Sequence, residues 1–364
     1  MRFVIAAGGT GGHLFPGLAV GEVLKDRGHE VMVLISEKEI DSLATQGRTE
    51  FRIERLPGIG LPRLFSPAVF GFLRRFRSGL KQCRALYENF RPDAVLGMGG
   101  FTSTAPILAG RLFKIPTFVH ESNAIPGKAN RLNARLVDAV LLGFEECARR
   151  LPGRSCIVTG TPIRASLMHR QDKAEALAAF GLEPGRRTLL VMGGSQGAQG
   201  INRALLGALE WLKGAPIQII HLSGRQDEET LRAAYAAAGI PAFVAAFWHQ
   251  MEVAYSAADF CIARSGAASL TELSHFALPS LLVPYPFAAE DHQTFNAKIF
   301  ERAEAAALLK ESEITGELLA RKLLWFVEDP TRLQTMSARS AAQAPREAAQ
   351  RVAETILGRC QSPG

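Results

Sequence analysis

The sequence predicts an α/β protein built from two doubly wound parallel sheets, and three observations carry that prediction. Short apolar, β-branched runs alternate with helical stretches, which is the pattern of parallel strands with crossover helices. The pattern restarts halfway along the chain with a second strand, glycine turn and helix. The length of 364 residues suits two domains of ordinary size.

The predicted strands fall into two sets. The first set comprises 2–7, 30–36, 93–97, 116–120 and 137–142; the second opens at 188–209 and continues at 217–224, 243–247, 259–266 and 279–286. We place the linker after Thr161, which gives domains over 1–162 and 163–335 and a helical tail over 336–364 that packs back on the first domain. Ligands of such sheets bind at the carboxyl ends of the strands, so the sequence predicts a site in a central cleft between the domains.

Composition excludes several classes of protein. The five cysteines form no CxxC pair and have no metal-ligand spacing, which argues against a disulfide framework and a structural zinc. The apolar run over 3–7 is too short for a signal peptide and reads as a buried strand. No apolar run approaches the roughly 20 residues of a membrane span.

The net charge of +7 lies entirely in the first half of the chain. Residues 1–160 hold 22 Lys and Arg against 14 Asp and Glu, or +8, and the remainder holds 20 against 21, or −1. The densest stretch, 52–84, has eight basic residues opposed only by Glu54. Such a patch is typical of contact with nucleic acid or an anionic membrane, or of a solvated helix face.

Two glycine turns, GGTGG (8–12) and GGSQG (193–197), each lead from a predicted strand into a predicted helix. Neither matches the dinucleotide fingerprint or the P-loop. Glycines at a helix N-terminus let backbone N–H groups approach an anion, so either turn suits a phosphate; alternatively they serve only close strand-to-helix packing. The chain has no Asp-x-Asp pair, so we expect a diphosphate to be held here without a metal.

Three polar groups stand where predicted strands end. His13 is a candidate base at the carboxyl end of the first strand, or simply a helix cap. Glu272 follows the strand and turn at 259–268 and is placed to accept from two ribose hydroxyls, or to cap its helix. The stretch EDHQTFNA (290–297) lacks the histidine spacing of a metal site.

Seven collinear motifs resemble the MurG family of glycosyltransferases. They are GGTGGHLFPGLAV (8–20), GMGGF (97–101), HESNAIPGKANR (120–131), GTPIR (160–164), GGSQGA (193–198), RSGAASLTE (264–272) and DHQTFNA (291–297). The resemblance covers nearly the whole chain. It implies a GT-B fold and inverting transfer of GlcNAc from UDP-GlcNAc to lipid I, giving lipid II for peptidoglycan. It also implies an enzyme that requires no cofactor and uses UDP-GlcNAc as its donor substrate.

The resemblance also implies roles for individual residues. His13 would be the base, or would orient the acceptor. The donor-binding residues carried over are Thr10, Gly11, Gly12, Asn123, Arg164, Ser195, Gln196, Trp248, Ala267, Ala268, Ser269, Leu270, Thr271, Glu272 and Gln293. Asn123 and Gln293 would contact the sugar, Arg164 and the 193–198 turn the diphosphate, and the backbone after Phe247 and Trp248 the uracil. Trp248 replaces a usual aliphatic residue and Phe101 a common tyrosine.

The resemblance suggests that the basic stretch over 52–84 contacts a membrane. The spacing predicts a helix capped by Ser66, with an apolar stripe flanked by arginines. The expected membrane contacts are Leu64, Phe65, Phe72, Arg74, Arg75 and Lys81, which suits peripheral attachment to the anionic cytoplasmic face of the bacterial membrane. The alternative is a helix packed in the core.

The resemblance also suggests cell-wall synthesis and division proteins as partners. Other interpretations are a GT-B enzyme with a different lipid acceptor and a nucleotide-sugar-binding subunit without catalysis. A nucleic-acid partner is not expected, because no recognition helix or aromatic strand pair accompanies the charge.

Overall fold

The structure is a computed structural model that describes residues 1–9, 11–37, 49–58, 68–194 and 197–361. The chain divides into two compact units. Unit 1 contains residues 1–164 and 345–364, and unit 2 contains residues 165–344.

Unit 1 is a seven-stranded parallel sheet covered by helices. Its strands run in the order β3-β2-β1-β4-β5-β6-β7, so the topology reverses between β1 and β4. The strands are β1 (Arg2–Ala6), β2 (Glu30–Ser36), β3 (Arg52–Leu56), β4 (Ala94–Gly97), β5 (Thr117–Glu121), β6 (Ala139–Leu142) and β7 (Cys156–Val158). The helices are α1 (Gly11–Asp26), α2 (Ala68–Phe90), α3 (Thr104–Leu112) and α4 (Lys128–Asn133).

Alternation along β1 divides the core of unit 1 between the two faces of the sheet. Phe3 and Ile5 pack in one cluster with apolar residues of α1. Val4 and Ala6 pack in another with Cys83 and other residues of α2 and α3. Successive strand side chains point to opposite faces, so a run that is apolar throughout indicates a sheet covered on both sides.

Unit 2 repeats this architecture with six parallel strands. Their order is β10-β9-β8-β11-β12-β13, which reverses between β8 and β11. The strands are β8 (Arg187–Met192), β9 (Ile217–Leu222), β10 (Ala242–Ala245), β11 (Phe260–Ala263), β12 (Ser280–Leu282) and β13 (Ala306–Leu308). The helices are α5 (Lys173–Ala178), α6 (Gln199–Leu212), α7 (Glu228–Ala238), α8 (Met251–Ala257), α9 (Ala267–His275), α10 (His292–Arg302), α11 (Gly316–Glu328) and α12 (Pro330–Ala342).

The last described helix, α13 (Ala348–Gln361), belongs to unit 1. Its residues Val352, Ala353 and Ile356 are buried in the same cluster as Phe3 and Ile5. Unit 1 is therefore assembled from two separate segments of the chain.

The two predicted parallel sheets are confirmed, and three strands are additional. β3, β7 and β13 lie at sheet edges, and none of them was predicted from the sequence. Parallel sheets bind ligands where the strand order reverses, so we expect ligand-binding residues after β1 and β4 in unit 1 and after β8 and β11 in unit 2.

Candidate active site

His13 lies in the first turn of α1, at the reversal point of unit 1. Its ring packs against the turn after β4, where Gly99 and Gly100 have φ of +114° and +71°. A Cβ added at Gly99 would lie 2.9 Å from His13 Nε2, and one at Gly100 would lie 3.6 Å from Nδ1. The imidazole is only partly buried. The two glycines therefore make room for a histidine ring that solvent still reaches.

A threonine joins the turn after β1 to the turn after β4. Thr102 donates its hydroxyl to the Gly8 carbonyl at 3.0 Å, and Gly9 has a φ of +112°. Ser103 donates to the Gly100 carbonyl at 2.8 Å. The turn that carries His13 and the turn that packs on it are thus fixed to each other. Neither hydroxyl was predicted from the sequence, although both directly follow GMGGF.

Glu121 organises the loop that follows β5. Its carboxylate, in a residue only 3 % exposed, accepts from Asn123 N at 2.9 Å, Asn123 Nδ2 at 3.1 Å and Gly127 N at 3.0 Å. It also accepts from Asn130 Nδ2 at 2.8 Å, and that nitrogen lies 3.3 Å from the position of a Cβ on Gly99. Glu121 therefore orients Asn123, the predicted sugar contact, and connects this loop to the wall of the His13 site.

His120 is a structural histidine. Its Nε2 lies 2.9 Å from the Gly160 carbonyl, which can only accept, so Nε2 carries the proton. Nδ1 then accepts from the Ser122 hydroxyl at 3.3 Å. Burial lowers the pKa of His120 from its ordinary value, so the ring is neutral and both nitrogens are occupied. It is therefore not a second candidate base.

Arg164 is the last residue of the first segment of unit 1. Its guanidinium lies over the Phe15 ring, with 4.5 Å between Cζ and the ring centroid. Its Nε is buried and has no hydrogen-bond partner among the described residues. A stacked guanidinium with an unused donor suits an anionic ligand.

Gly11 and Gly12 begin α1, whereas Thr10 lies outside the described residues. Gly11 is partly buried, and a Cβ added there would lie 3.2 Å from the Phe15 ring, whereas Gly12 is exposed. Because these two residues have no side chains, the N-terminus of α1 can be approached closely by a sugar or phosphate group.

The glycine turn of unit 2 is tightly packed at both ends. A Cβ on Gly197, which has a φ of +75°, would lie 2.1 Å from the Ser223 carbonyl oxygen, and one on Gly193 would lie 2.4 Å from the Ala198 Cβ. The turn leads directly into α6. The predicted contacts Ser195 and Gln196 lie outside the described residues.

The predicted diphosphate and ribose contacts divide into two groups on α9. Ala267, Leu270 and Thr271 are buried, and the Thr271 hydroxyl donates to the Ala267 carbonyl within the helix at 2.9 Å. Ala268 and Ser269 are partly exposed in the first turn. The buried members therefore support the helix, and the Leu270 N–H already donates to the Gly266 carbonyl at 3.0 Å.

Glu272 is partly exposed on α9. Its Oε2 accepts from the hydroxyl of the buried Tyr255 at 2.7 Å. The tyrosine fixes the carboxylate, which suits the recognition of a diol.

Gln293, in the first turn of α10, is fixed by two backbone donors. Its Oε1 accepts from Tyr285 N at 2.9 Å and Ser265 N at 3.3 Å. The Ser265 hydroxyl donates to the Gln293 carbonyl at 2.8 Å. Two donors on one oxygen determine the orientation of the side-chain amide.

Trp248 packs within unit 2. Its ring contacts Phe180 and Phe243, with centroids 5.0 and 5.3 Å away. Its neighbour Phe247 is half exposed and contacts His249. Trp248 is therefore partly buried among aromatic rings, while Phe247, the other residue of the predicted uracil-side pair, is half exposed.

The N-terminal half of α2 presents apolar and basic side chains to solvent. Phe70 is 79 % exposed and Leu73 is 43 % exposed, and neither was among the expected membrane contacts. Phe72, which was expected there, packs against Phe76 and Phe101, each with ring centroids 6.2 Å away.

The basic residues Arg74, Arg75 and Lys81 are exposed on this helix, while Leu64 and Phe65 lie outside the described residues. Within the described ranges, no helix is long and apolar enough to cross a membrane. The same part of the chain contains no cluster of three or more His, Cys, Asp or Glu residues that would hold a metal ion.

Two family models match the chain. Residues 3–142 match the N-terminal domain of glycosyltransferase family 28, and residues 188–352 match its C-terminal domain. With the two parallel-sheet units, these matches define a glycosyltransferase of the GT-B class.

Curated relatives narrow this class. The chain is 35 % identical to the UDP-N-acetylglucosamine–N-acetylmuramyl-(pentapeptide) pyrophosphoryl-undecaprenol N-acetylglucosamine transferase of Pelobacter propionicus, covering 98 % of this chain and 99 % of that protein. It is 36 % identical to the same-named protein of Geobacter sulfurreducens, covering 98 % of each. The crystal structure of Acinetobacter baumannii MurG superposes with a TM-score of 0.78 at 28 % identity, covering 98 % of this chain and 100 % of that one. The chain belongs to the MurG family of N-acetylglucosamine transferases.

Proposed function

We propose that this protein transfers GlcNAc from UDP-GlcNAc to the MurNAc-pentapeptide of lipid I, which forms lipid II with inversion to a β-1,4 linkage. The observation that carries the proposal is full-length similarity to transferases named for this reaction. The polar groups that the reaction needs also lie after the strands where such folds bind ligands.

His13 is the proposed base. The acceptor hydroxyl attacks C1 of the donor sugar and forms the new C1–O bond, while the bond from C1 to the diphosphate breaks. The hydroxyl proton passes to a neutral imidazole nitrogen, and the electron pair of the broken bond leaves with UDP. The partly exposed ring, supported by Gly99 and Gly100, suits this role.

Stabilisation of the leaving diphosphate is assigned to backbone N–H groups of the 193–198 turn and of the first turn of α9, and to Arg164. The unused Nε donor of Arg164 supports its place in this group. Glu272 accepts from the ribose hydroxyls, and Asn123 and Gln293 orient the GlcNAc. We accordingly assign the acceptor and membrane side to unit 1 and the donor side to unit 2.

We further propose peripheral attachment to the cytoplasmic face of the cell membrane through α2. Phe70 and Leu73 enter the headgroup region, and the exposed arginines beside them meet anionic lipids. This assignment adds two side chains to those expected from the sequence.

The decisive experiment measures transfer of radiolabelled sugar to synthetic lipid I. We expect turnover with UDP-GlcNAc and lipid I, much less with UDP-Glc, and none with diacylglycerol as acceptor. Preferred transfer to diacylglycerol would favour a different glycolipid synthase, and binding of UDP-GlcNAc without transfer to any acceptor would indicate a non-catalytic subunit.

A further inference from the structure

An ion pair between a buried arginine and a partly buried glutamate lies next to the proposed donor residues in unit 2. Arg264 follows β11 and is 9 % exposed, and its Nη2 contacts the carboxylate of Glu311, which follows β13. Its Nη1 donates to the carbonyls of Val283 at 3.1 Å and Pro284 at 3.2 Å, just after β12. One buried cation therefore joins the carboxyl ends of three adjacent strands.

A glycine in α6 makes room for this pair. Gly200 is the second residue of the helix, and a Cβ there would lie 2.2 Å from the Cδ of Glu311. The carboxylate therefore packs directly on the first turn of α6, where its charge is favourable for the helix. Any larger residue at Gly200 would displace Glu311.

The backbone held by Arg264 continues into the two donors that fix Gln293. Ser265 directly follows Arg264, and Tyr285 directly follows Pro284. Their N–H groups converge on Gln293 Oε1. The Arg264 side chain bonds to the Pro284 carbonyl, so it links the residue before Ser265 to the residue before Tyr285. This link therefore sets the spacing of the two N–H groups.

The bonds to Gln293 also limit what it can offer a ligand. An amide oxygen has two lone pairs, and both are engaged by backbone N–H groups. Only the Nε2 hydrogens remain for a substrate. Toward a ligand, the Gln293 side chain can therefore act only as a hydrogen-bond donor.

We propose that Glu311 is a positioning residue for donor-sugar recognition. It does not touch the substrate; it holds Arg264, which sets the Ser265 and Tyr285 backbone and thereby aims Nε2 of Gln293 at a sugar oxygen. The inference rests on the proposed function, because it takes Gln293 as a contact of the UDP-GlcNAc sugar.

The test is a double-mutant cycle between Glu311→Ala and Gln293→Ala. Loss of a bond to a charged group leads us to expect a rise of about tenfold in KM for UDP-GlcNAc in E311A. In E311A, the dissociation constant for UDP, which lacks the sugar, should stay within about twofold of the wild-type value. In the double variant of E311A and Q293A, the KM for UDP-GlcNAc should stay within about twofold of its value in Q293A alone. Glu311→Gln keeps an oxygen that accepts from Arg264 and should restore most of the affinity.

Gly200→Ala reaches the same contact from the other side and serves if E311A does not fold. It should also raise the KM for UDP-GlcNAc. Gly207→Ala is the matched control, because it lies in the same helix and its added Cβ meets Gly316 at an ordinary 3.4 Å. Its KM should equal that of the wild type.

Three results would overturn the inference: an unchanged KM in both E311A and G200A, an equal rise in the dissociation constant for UDP, or effects of E311A and Q293A that simply add. A wild-type protein that neither binds UDP nor transfers GlcNAc would instead overturn the proposed function. The two failures are therefore distinguishable.

Discussion

Substituting Gly99 with alanine tests whether the position of His13 determines turnover. The new Cβ would lie 2.9 Å from Nε2 and 3.0 Å from Cδ2 of His13. Ordinary contact requires about 3.5 Å, so the ring must move by roughly 0.6 Å. The φ of +114° adds backbone strain, which costs about 1–3 kcal/mol for a residue with a side chain.

Displacement of a reacting group by 1 Å can lower the rate about a hundredfold. For the smaller shift of the His13 ring, we expect kcat to fall by about ten- to a hundredfold. Affinity for UDP should not change. The assay is steady-state transfer to lipid I, together with thermal unfolding.

Gly185→Ala is the matched control for backbone strain. Gly185 has a φ of +97° and nothing within 4 Å of an added Cβ, so its alanine variant should be destabilised without a loss of turnover. If G99A were destabilised like G185A and yet kept the wild-type kcat, the packing of His13 on Gly99 would have no catalytic consequence.

Three further predictions follow from the structure. His13→Ala should lower kcat at least about a hundredfold with little change in UDP affinity; a comparable loss of both would refute the base assignment. Replacing Phe70 and Leu73 together by Glu should reduce flotation with anionic liposomes by at least about tenfold, because each apolar side chain contributes about 1.5–3 kcal/mol when buried; Trp211→Glu, at another exposed aromatic, should float as the wild type does. Burial lowers the pKa of His221 to about 3, compared with its ordinary value near 6.5. Between these two pH values the unfolded chain binds one more proton than the folded chain. The free energy of unfolding should therefore decrease by about 1.4 kcal/mol for each pH unit below about 6. Denaturant unfolding of wild type and His221→Gln measures this slope, which the substitution should flatten; equal slopes would contradict the assignment.

Apolar periodicity was enough to predict both parallel sheets, because their central strands are buried on both faces and contain few polar residues. The edge strand β3 escaped prediction because its sequence, RIERL, carries three charges. β13 has only three residues, too few for a periodicity to be recognised. Edge strands lack a second neighbour, so their sequences are less constrained by burial.

The candidate site was less predictable than the fold. Motif spacing selected His13, Glu272 and Gln293, which lie after strands or in first helical turns. Glu121 was missed because its partners are backbone and amide N–H groups within one loop, and their convergence depends on the loop conformation. Glu311 was missed because it and its partner Arg264 follow different strands that are far apart in the sequence, and no local pattern pairs them.

The discontinuity of unit 1 has a consequence for synthesis of the chain. Val352, Ala353 and Ile356 complete the cluster around Phe3 and Ile5, so this core lacks one covering helix until residues beyond 344 have left the ribosome. Unit 2 is continuous in sequence and has no such dependence. The order of translation and the order in which the two cores become complete are therefore opposite.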